Sequence, residues 1–216
     1  MGKKYIKEIN AKEFKVTIFG SARIKRDTWE YKEIYSLGKF LGEKGIDLVT
    51  GGGPGAMEAA SKGHKHGKTS KKQKAHTIGL AIKLTKEQKI NKSIGFVKEF
   101  KHFSERLDNF MLLSNVIIVT YGGIGTLLEL LYSWQLVQVK QICNIPIILV
   151  GKQWPELIIW MEKYMLKKGY VNPIDMNLVF LAKDNKEAVR MINKAYEEYK
   201  KGTKNYCLNY KKYKLY

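Results

Sequence analysis

Three groups of residues in this 216-residue chain have the types and spacing to do chemistry. Gly122, Gly123, Gly125 and Thr126 stand between an apolar run, Asn115 to Thr120, and a long apolar-periodic stretch. Glycines let a backbone approach a ligand closely, and the N–H groups at a helix start point at an anion. Thr126 adds a hydroxyl, so the set is a candidate phosphate cradle. Glu129 follows three residues after Thr126. It reads equally as a favourable charge at a helix start and as a carboxylate beside a bound phosphate ester. Arg106 precedes the apolar run that delivers the glycine turn. It is either a solvated helix residue near Glu105 and Asp108 or a clamp for phosphate or ribose.

Two further loops are candidates for the same pocket. Gly51 to Gly55 reads GGGPG, followed by Met57 and Glu58, and residues 20–23 read GSAR. Gly20, Ser21, Gly52, Gly53 and Met57 are therefore assigned to substrate binding, beside the phosphate loop. The GGGPG stretch does not fit G-x-x-x-x-G-K-[ST], which argues against ATP hydrolysis. It follows the second apolar run, not the first, which argues against a dinucleotide-binding dehydrogenase. His64, His66, His76 and His102 lack the spacing and the cysteine neighbours of a zinc site, so no metal is expected. No G-x-S-x-G nucleophile motif is present.

These loops need elements to hold them. Apolar runs at 16–20, 47–50, 78–82, 115–120, 145–150 and 178–182 read as buried strands, with a further strand expected within 93–100. Helical periodicity covers 28–44, the stretch after Gly55, 104–114, the stretch after Thr126, 155–168 and 185–200. Continuous apolar strands alternating with amphipathic helices predict an α/β fold: a Rossmann-like, doubly wound parallel sheet with helices on both faces. In such sheets the ligand sits at the carboxyl ends of the strands, near the switch in strand order. GSAR, GGGPG and YGGIGT all fall there. The expected organisation is an extension at 1–13, one domain at 14–200 and a Lys/Tyr-rich tail at 201–216. Residues 62–76 read as a basic loop.

Composition narrows the partners. The net charge is +19, but the 39 basic residues include only four arginines, leaving 35 lysines. With abundant Ile, Asn and Tyr, this reads as the coding bias of an AT-rich genome, so nucleic acid is expected to bind only non-specifically. The uncharged apolar run 142–150 is far shorter than the roughly 20 residues that span a bilayer. No membrane partner and a cytoplasmic location are expected. Cys143 and Cys207 make no disulfide framework, and Cys143 reads as a reduced packing residue.

GGGPGAMEAA at 51–60 together with YGGIGTLLE at 121–129 resembles the LOG (Lonely Guy) family of cytokinin riboside 5′-monophosphate phosphoribohydrolases. Its members long carried the description lysine decarboxylase. The family signature is PGGxGTxxE, matched at Gly122, Gly123, Gly125, Thr126 and Glu129. Arg106, fifteen residues before Tyr121, stands where the family has an arginine. GSAR and GLAIKLTKEQ (79–88) resemble the longer, type II branch. The resemblance covers about residues 14–182. It implies a Rossmann-like fold, a homo-oligomer, no cofactor, and cleavage of a nucleoside 5′-monophosphate to free base and ribose 5-phosphate. It assigns catalysis to Arg106 and Glu129 and phosphate binding to the glycine loop. Departures are Tyr121 for the signature proline, Leu107 for a lysine, and KTSKKQKAH (68–76) as an insertion.

Competing readings are a non-catalytic nucleotide or molybdenum-cofactor binding protein and a DNA-binding Rossmann protein. The latter would bind single strands with a steep salt dependence. A pyridoxal-phosphate decarboxylase does not fit a chain of this length.

Overall fold

Seven parallel strands form one sheet in the order β4-β3-β2-β1-β5-β6-β7. The strands are β1 (Lys15–Phe19), β2 (Asp47–Thr50), β3 (Thr77–Ile82), β4 (Phe96–Phe100), β5 (Val116–Val119), β6 (Ile147–Val150) and β7 (Val179–Ala182). The computed structural model describes residues 13–83 and 89–202. Most of the N-terminal extension, residues 84–88 of GLAIKLTKEQ, Cys207 and most of the tail lie outside the described residues. The chain builds outward from β1 to β4, then returns to place β5 beside β1 and builds outward the other way. The switch point lies between β1 and β5, which pair in register from Val16↔Val116 to Phe19↔Val119.

Helices cover both faces, as the uninterrupted apolar strands require. Alternate residues of one strand point to opposite cores. Val116 and Ile118 join a cluster with α1 (Trp29–Glu43), α2 (Ala56–Ser70) and α7 (Asn185–Lys200). Ile117 and Val119 join a cluster with α3 (Phe103–Leu113), α4 (Ile124–Gln138) and α5 (Gln153–Met161). The doubly wound α/β expectation therefore holds. Among the described residues, no helix is long and apolar enough to cross a membrane.

Three readings are corrected and one element is added. The basic loop at 62–76 is helical through Ser70, with only the stretch after it in a turn. Lys62 and Lys65 face solvent while Ala59, Ala60, Gly63 and Gly67 face inward, a small-residue stripe that composition disguised. That stripe packs on Gly38 and Gly42 of α1. A Cβ at Gly63 would lie 2.0 Å from the Tyr35 carbonyl oxygen, and one at Gly38 2.1 Å from that of Ala60. The helix expected over 155–168 starts at Gln153 and gives way to a π turn at Glu162–Leu166. A short helix α6 (Pro173–Met176), opened by Asn172, was not foreseen. Cys143 is half-buried and belongs to neither apolar cluster, so it is not a core packing residue. It lies in the turn ahead of β6, outside both cores.

Candidate active site

The carboxyl ends of β1, β2 and β5 carry three loops, and backbone hydrogen bonds join them. Gly20 follows β1, and a Cβ there would lie 2.3 Å from Thr120 Oγ1 and 2.6 Å from Ala56 Cβ. Only glycine lets the β1 and β5 edges and the start of α2 meet so closely. Ser21 N donates to the Tyr121 carbonyl at 2.9 Å, and the Ser21 carbonyl accepts from Ala56 N at 2.9 Å. GSAR therefore splices the GGGPG loop to the YGGIGT loop through its backbone.

Arg106 and Glu129 converge at this edge. Arg106 projects from α3 and is 8% exposed. Its Nε donates to the Leu80 carbonyl at 2.7 Å, and its guanidinium stacks on Phe110 at 5.0 Å. Nη1 lies 3.5 Å from Glu129 Oε1, an ion pair at the outer limit of hydrogen-bond distance. Glu129 sits in the second turn of α4 with its side chain 12% exposed. Burial pushes its carboxyl up to about 7, and Arg106 pulls it only partly back. Burial likewise lowers the Arg106 guanidinium from its ordinary value, offset in part by Glu129. A charge-poor enclosure holding one long ion pair near neutrality is the arrangement in which a carboxylate works as base or charge stabiliser.

The YGGIGT loop divides its glycines between two tasks. Gly122 packs on buried Thr126; a Cβ would meet Thr126 Oγ1 at 2.1 Å. Gln153 Nε2 donates to the Gly122 carbonyl at 2.8 Å and fixes the turn from the β6 side. At Gly123, the N-cap of α4, and at Gly125 in its first turn, a Cβ would meet nothing within 4 Å. That open space fronts the start of a 15-residue helix. Backbone N–H groups and a helix dipole facing such a space suit a phosphate. Tyr121 makes the turn without the signature proline. Its carbonyl is held by Ser21, and its ring packs edge-on to Trp29 at a centroid distance of 5.9 Å.

On the β2 side, Gly51 lies against the arginine: a Cβ there would be 2.4 Å from Arg106 Nη2 and 2.7 Å from Met57 Sδ. Gly52 has φ +75°, a left-handed conformation that glycine adopts without strain. Gly53 N donates to Met57 Sδ at 3.4 Å. Gly20, Ser21, Gly52, Gly53, Met57 and the Arg106–Glu129 pair thus share one edge of the sheet with Gly122 to Thr126.

Sequence reasoning missed Asn91, which bonds to Gly52 and Gly53, and Gln153. It also missed Arg26, which grips Glu58 at 2.7 Å over a cavity of about 420 Å³ that Asn91 and Pro54 also line. None of these lies in a periodic or motif context that would mark it.

His64 and His76 lie away from this edge, toward the amino ends of the strands. His64 is fully buried between Thr77 Oγ1 and the Ile46 carbonyl, each at 2.8 Å, and burial lowers it to about 4. Glu13, Asp47 and His76 offer three ligating atoms within 4.8 Å of one another near the amino ends of the strands. There the Lys15 ammonium already stands 3.7 Å from the Asp47 carboxylate.

A family model described as "Possible lysine decarboxylase" matches residues 54–192, a span that includes Arg106, the glycine turn and Glu129. The chain is 27% identical over 199 residues to the cytokinin riboside 5′-monophosphate phosphoribohydrolase LOG7 of Arabidopsis thaliana, covering 90% of this chain and 86% of that protein. It is 32% identical over 105 residues to the pyrimidine/purine nucleotide 5′-monophosphate nucleosidase of Escherichia coli, covering 48% of this chain and 23% of that one. Among solved structures, the molybdenum cofactor binding protein of Rippkaea orientalis superposes with a TM-score of 0.64 at 22% identity. The superposition covers 87% of this chain and 99% of that one, a likeness of fold alone.

Proposed function

This chain belongs to the family described as "Possible lysine decarboxylase", and from that premise we propose that it hydrolyses the N-glycosidic bond of a nucleoside 5′-monophosphate. The observation that carries the reading is the buried Arg106–Glu129 pair at 3.5 Å, set on the same sheet edge as the open helix start at Gly123 and Gly125. The names of the relatives, a phosphoribohydrolase and a nucleosidase, support the same reaction class. Nothing in this pair supplies decarboxylation.

In this reading the 5′-phosphate sits on the N–H groups at the start of α4, and the ribose lies toward Glu129. The bond from C1′ to the base nitrogen breaks, and its electron pair leaves with the base, which takes up a proton. The ribosyl centre becomes oxocarbenium-like. Glu129, as carboxylate, stabilises that cation and accepts a proton from the water that adds to C1′. Arg106 holds the substrate and keeps a share of Glu129 ionised near neutral pH. Gly20, Ser21, Gly52, Gly53 and Met57 form the remaining wall. The products are free base and ribose 5-phosphate.

The test is incubation with AMP, followed by chromatography for adenine. Release of adenine with ribose 5-phosphate is expected, with adenosine a much poorer substrate. AMP that binds but stays intact would assign the site to non-catalytic binding of a nucleotide or of molybdenum cofactor.

A further inference from the structure

The GGGPG loop is a wall of the site that depends on support from outside it. Three successive glycines have the largest conformational freedom to lose, and Gly52 holds a left-handed conformation. Asn91 closes that loop from outside. Its Nδ2 donates to the carbonyls of Gly52 and Gly53, each at 3.0 Å. Its backbone N donates to the Gly52 carbonyl at 2.9 Å, and its Oδ1 accepts from Ser93 N at 3.1 Å. The side chain is buried, with the residue 9% exposed. Both amide protons are spent on the loop, so Asn91 has no donor left for a ligand. The pinned segment adjoins Gly51, whose missing Cβ makes room for Arg106 Nη2.

We infer that Asn91 is a positioning residue: by clamping the Gly52 and Gly53 carbonyls it fixes the wall against which Arg106 is held toward Glu129. The inference rests on the proposed function for its kinetic consequence and on the geometry alone for its structural one. A loop that relaxes by about 1 Å lets the guanidinium drift, and misplacement on that scale commonly costs up to about 100-fold in rate. Drift also weakens the influence of Arg106, the charged group that acts on Glu129.

The experiment compares wild type with Asn91→Ala and Asn91→Asp in the full chain. Asn91→Asp keeps the shape but turns carboxylate oxygens toward two carbonyl oxygens, so it should be the more damaging change. The readouts are kcat/KM for AMP and the titration midpoint of the Glu129 carboxyl, followed by carbon-13 NMR of labelled glutamate. A loss of about 10-fold or more in kcat/KM is expected in folded Asn91→Ala. The Glu129 midpoint should rise above the wild-type value, an effect that loss of stability alone would not produce. An unmoved midpoint in folded Asn91→Ala overturns the inference, whatever its activity. If neither variant folds, Asn91 is a folding determinant and the positioning role is likewise overturned. If wild type cleaves no nucleotide, the proposed function fails while the Glu129 titration still decides the role of Asn91.

Discussion

Glycine does opposite work in two regions of this molecule. Along the α1–α2 seam, Gly38, Gly42, Gly63 and Gly67 leave no room at all: each added Cβ would lie 2.0 to 2.2 Å from a backbone oxygen of the facing helix. At the start of α4, Gly123 and Gly125 leave everything open, with nothing within 4 Å. The first set lacks side chains because another backbone fills the space. The second lacks them with no protein atom within 4 Å to account for it, which leaves room at the helix start that the proposed phosphate would fill. The buried titratable groups divide the same way. His64, behind the seam, has both ring nitrogens partnered and is held neutral, lowered to about 4. Glu129, at the open edge, is held near neutrality by burial against one long ion pair. Burial with satisfied partners makes structure, whereas burial with an incomplete partner keeps chemistry available.

The sharpest way to break the comparison is Gly63→Ala. The new methyl would lie 2.0 Å from the Tyr35 carbonyl oxygen, which is backbone and cannot swing aside. Overpacking of this kind should cost about 3 kcal/mol or more. For a chain of this size that is a fall in Tm of about 10 °C. Calorimetry showing an unchanged Tm would mean that the seam has slack and the contrast is false.

Glu129→Gln should cut turnover of AMP about 100-fold while leaving AMP binding in place, the usual cost of removing a group that stabilises transition-state charge. The same change should stabilise the protein at alkaline pH. The folded carboxyl, at about 7, lies above its unfolded value of 4.5. Its contribution is therefore fully present below pH 4.5 and lost as pH rises through 7. Wild type should forfeit up to about 3 kcal/mol over that window, and glutamine forfeits none. Thermal melts should show the variant ahead at pH 8 and level with wild type near pH 4.5. Equal melting at both would place Glu129 in solvent-like surroundings.

How much of this was legible in the sequence follows from which residues carry a local pattern. Strand β5 was plain because Val116 to Val119 is apolar on both faces, and the glycine turn after it was plain for the same reason. Arg106 and Glu129 could be picked out one by one, but their meeting is a property of how α3 and α4 cross the sheet. No spacing within either helix encodes it. The seam was misread because the lysines and histidines of 62–70 masked an inward stripe of alanine and glycine; Gly38-xxx-Gly42 and Gly63-xxx-Gly67 were the signal that could have revealed it. Asn91 was invisible, since a loop asparagine acquires its role only when the loop it pins is brought alongside.

Gly123→Val tests the open side of the contrast. At Gly123, with φ −109° and ψ −147°, an added Cβ meets no protein atom within 4 Å, so the cost to the fold is small beside that at the seam. Stability should hardly change. AMP binding should weaken about 10-fold, near 1.4 kcal/mol, because the side chain enters the space assigned to phosphate. Adenosine binding, which has no phosphate to displace, should be spared. Equal losses for the two ligands in calorimetric titrations would remove the phosphate from this loop.

The smallest expected effect is also the most discriminating, because its two halves carry opposite signs. Gly125 lies in the first turn of α4, with an open position where its Cβ would be. Alanine there loses less conformational freedom on folding than glycine, so Gly125→Ala should stabilise the ligand-free protein by roughly 0.5 kcal/mol. At the seam the same substitution is strongly destabilising, so a single chemical change should move Tm up in one region and down in the other. If the space at Gly125 is kept for a ligand, the added methyl should also weaken AMP binding by a few-fold while Tm rises. A protein made more stable and a poorer binder by one methyl group has a glycine retained for its ligand and not for its fold. If Gly125→Ala raises Tm and leaves AMP affinity unchanged, the open space is only exposed surface, and the phosphate site must be sought at Gly123 alone.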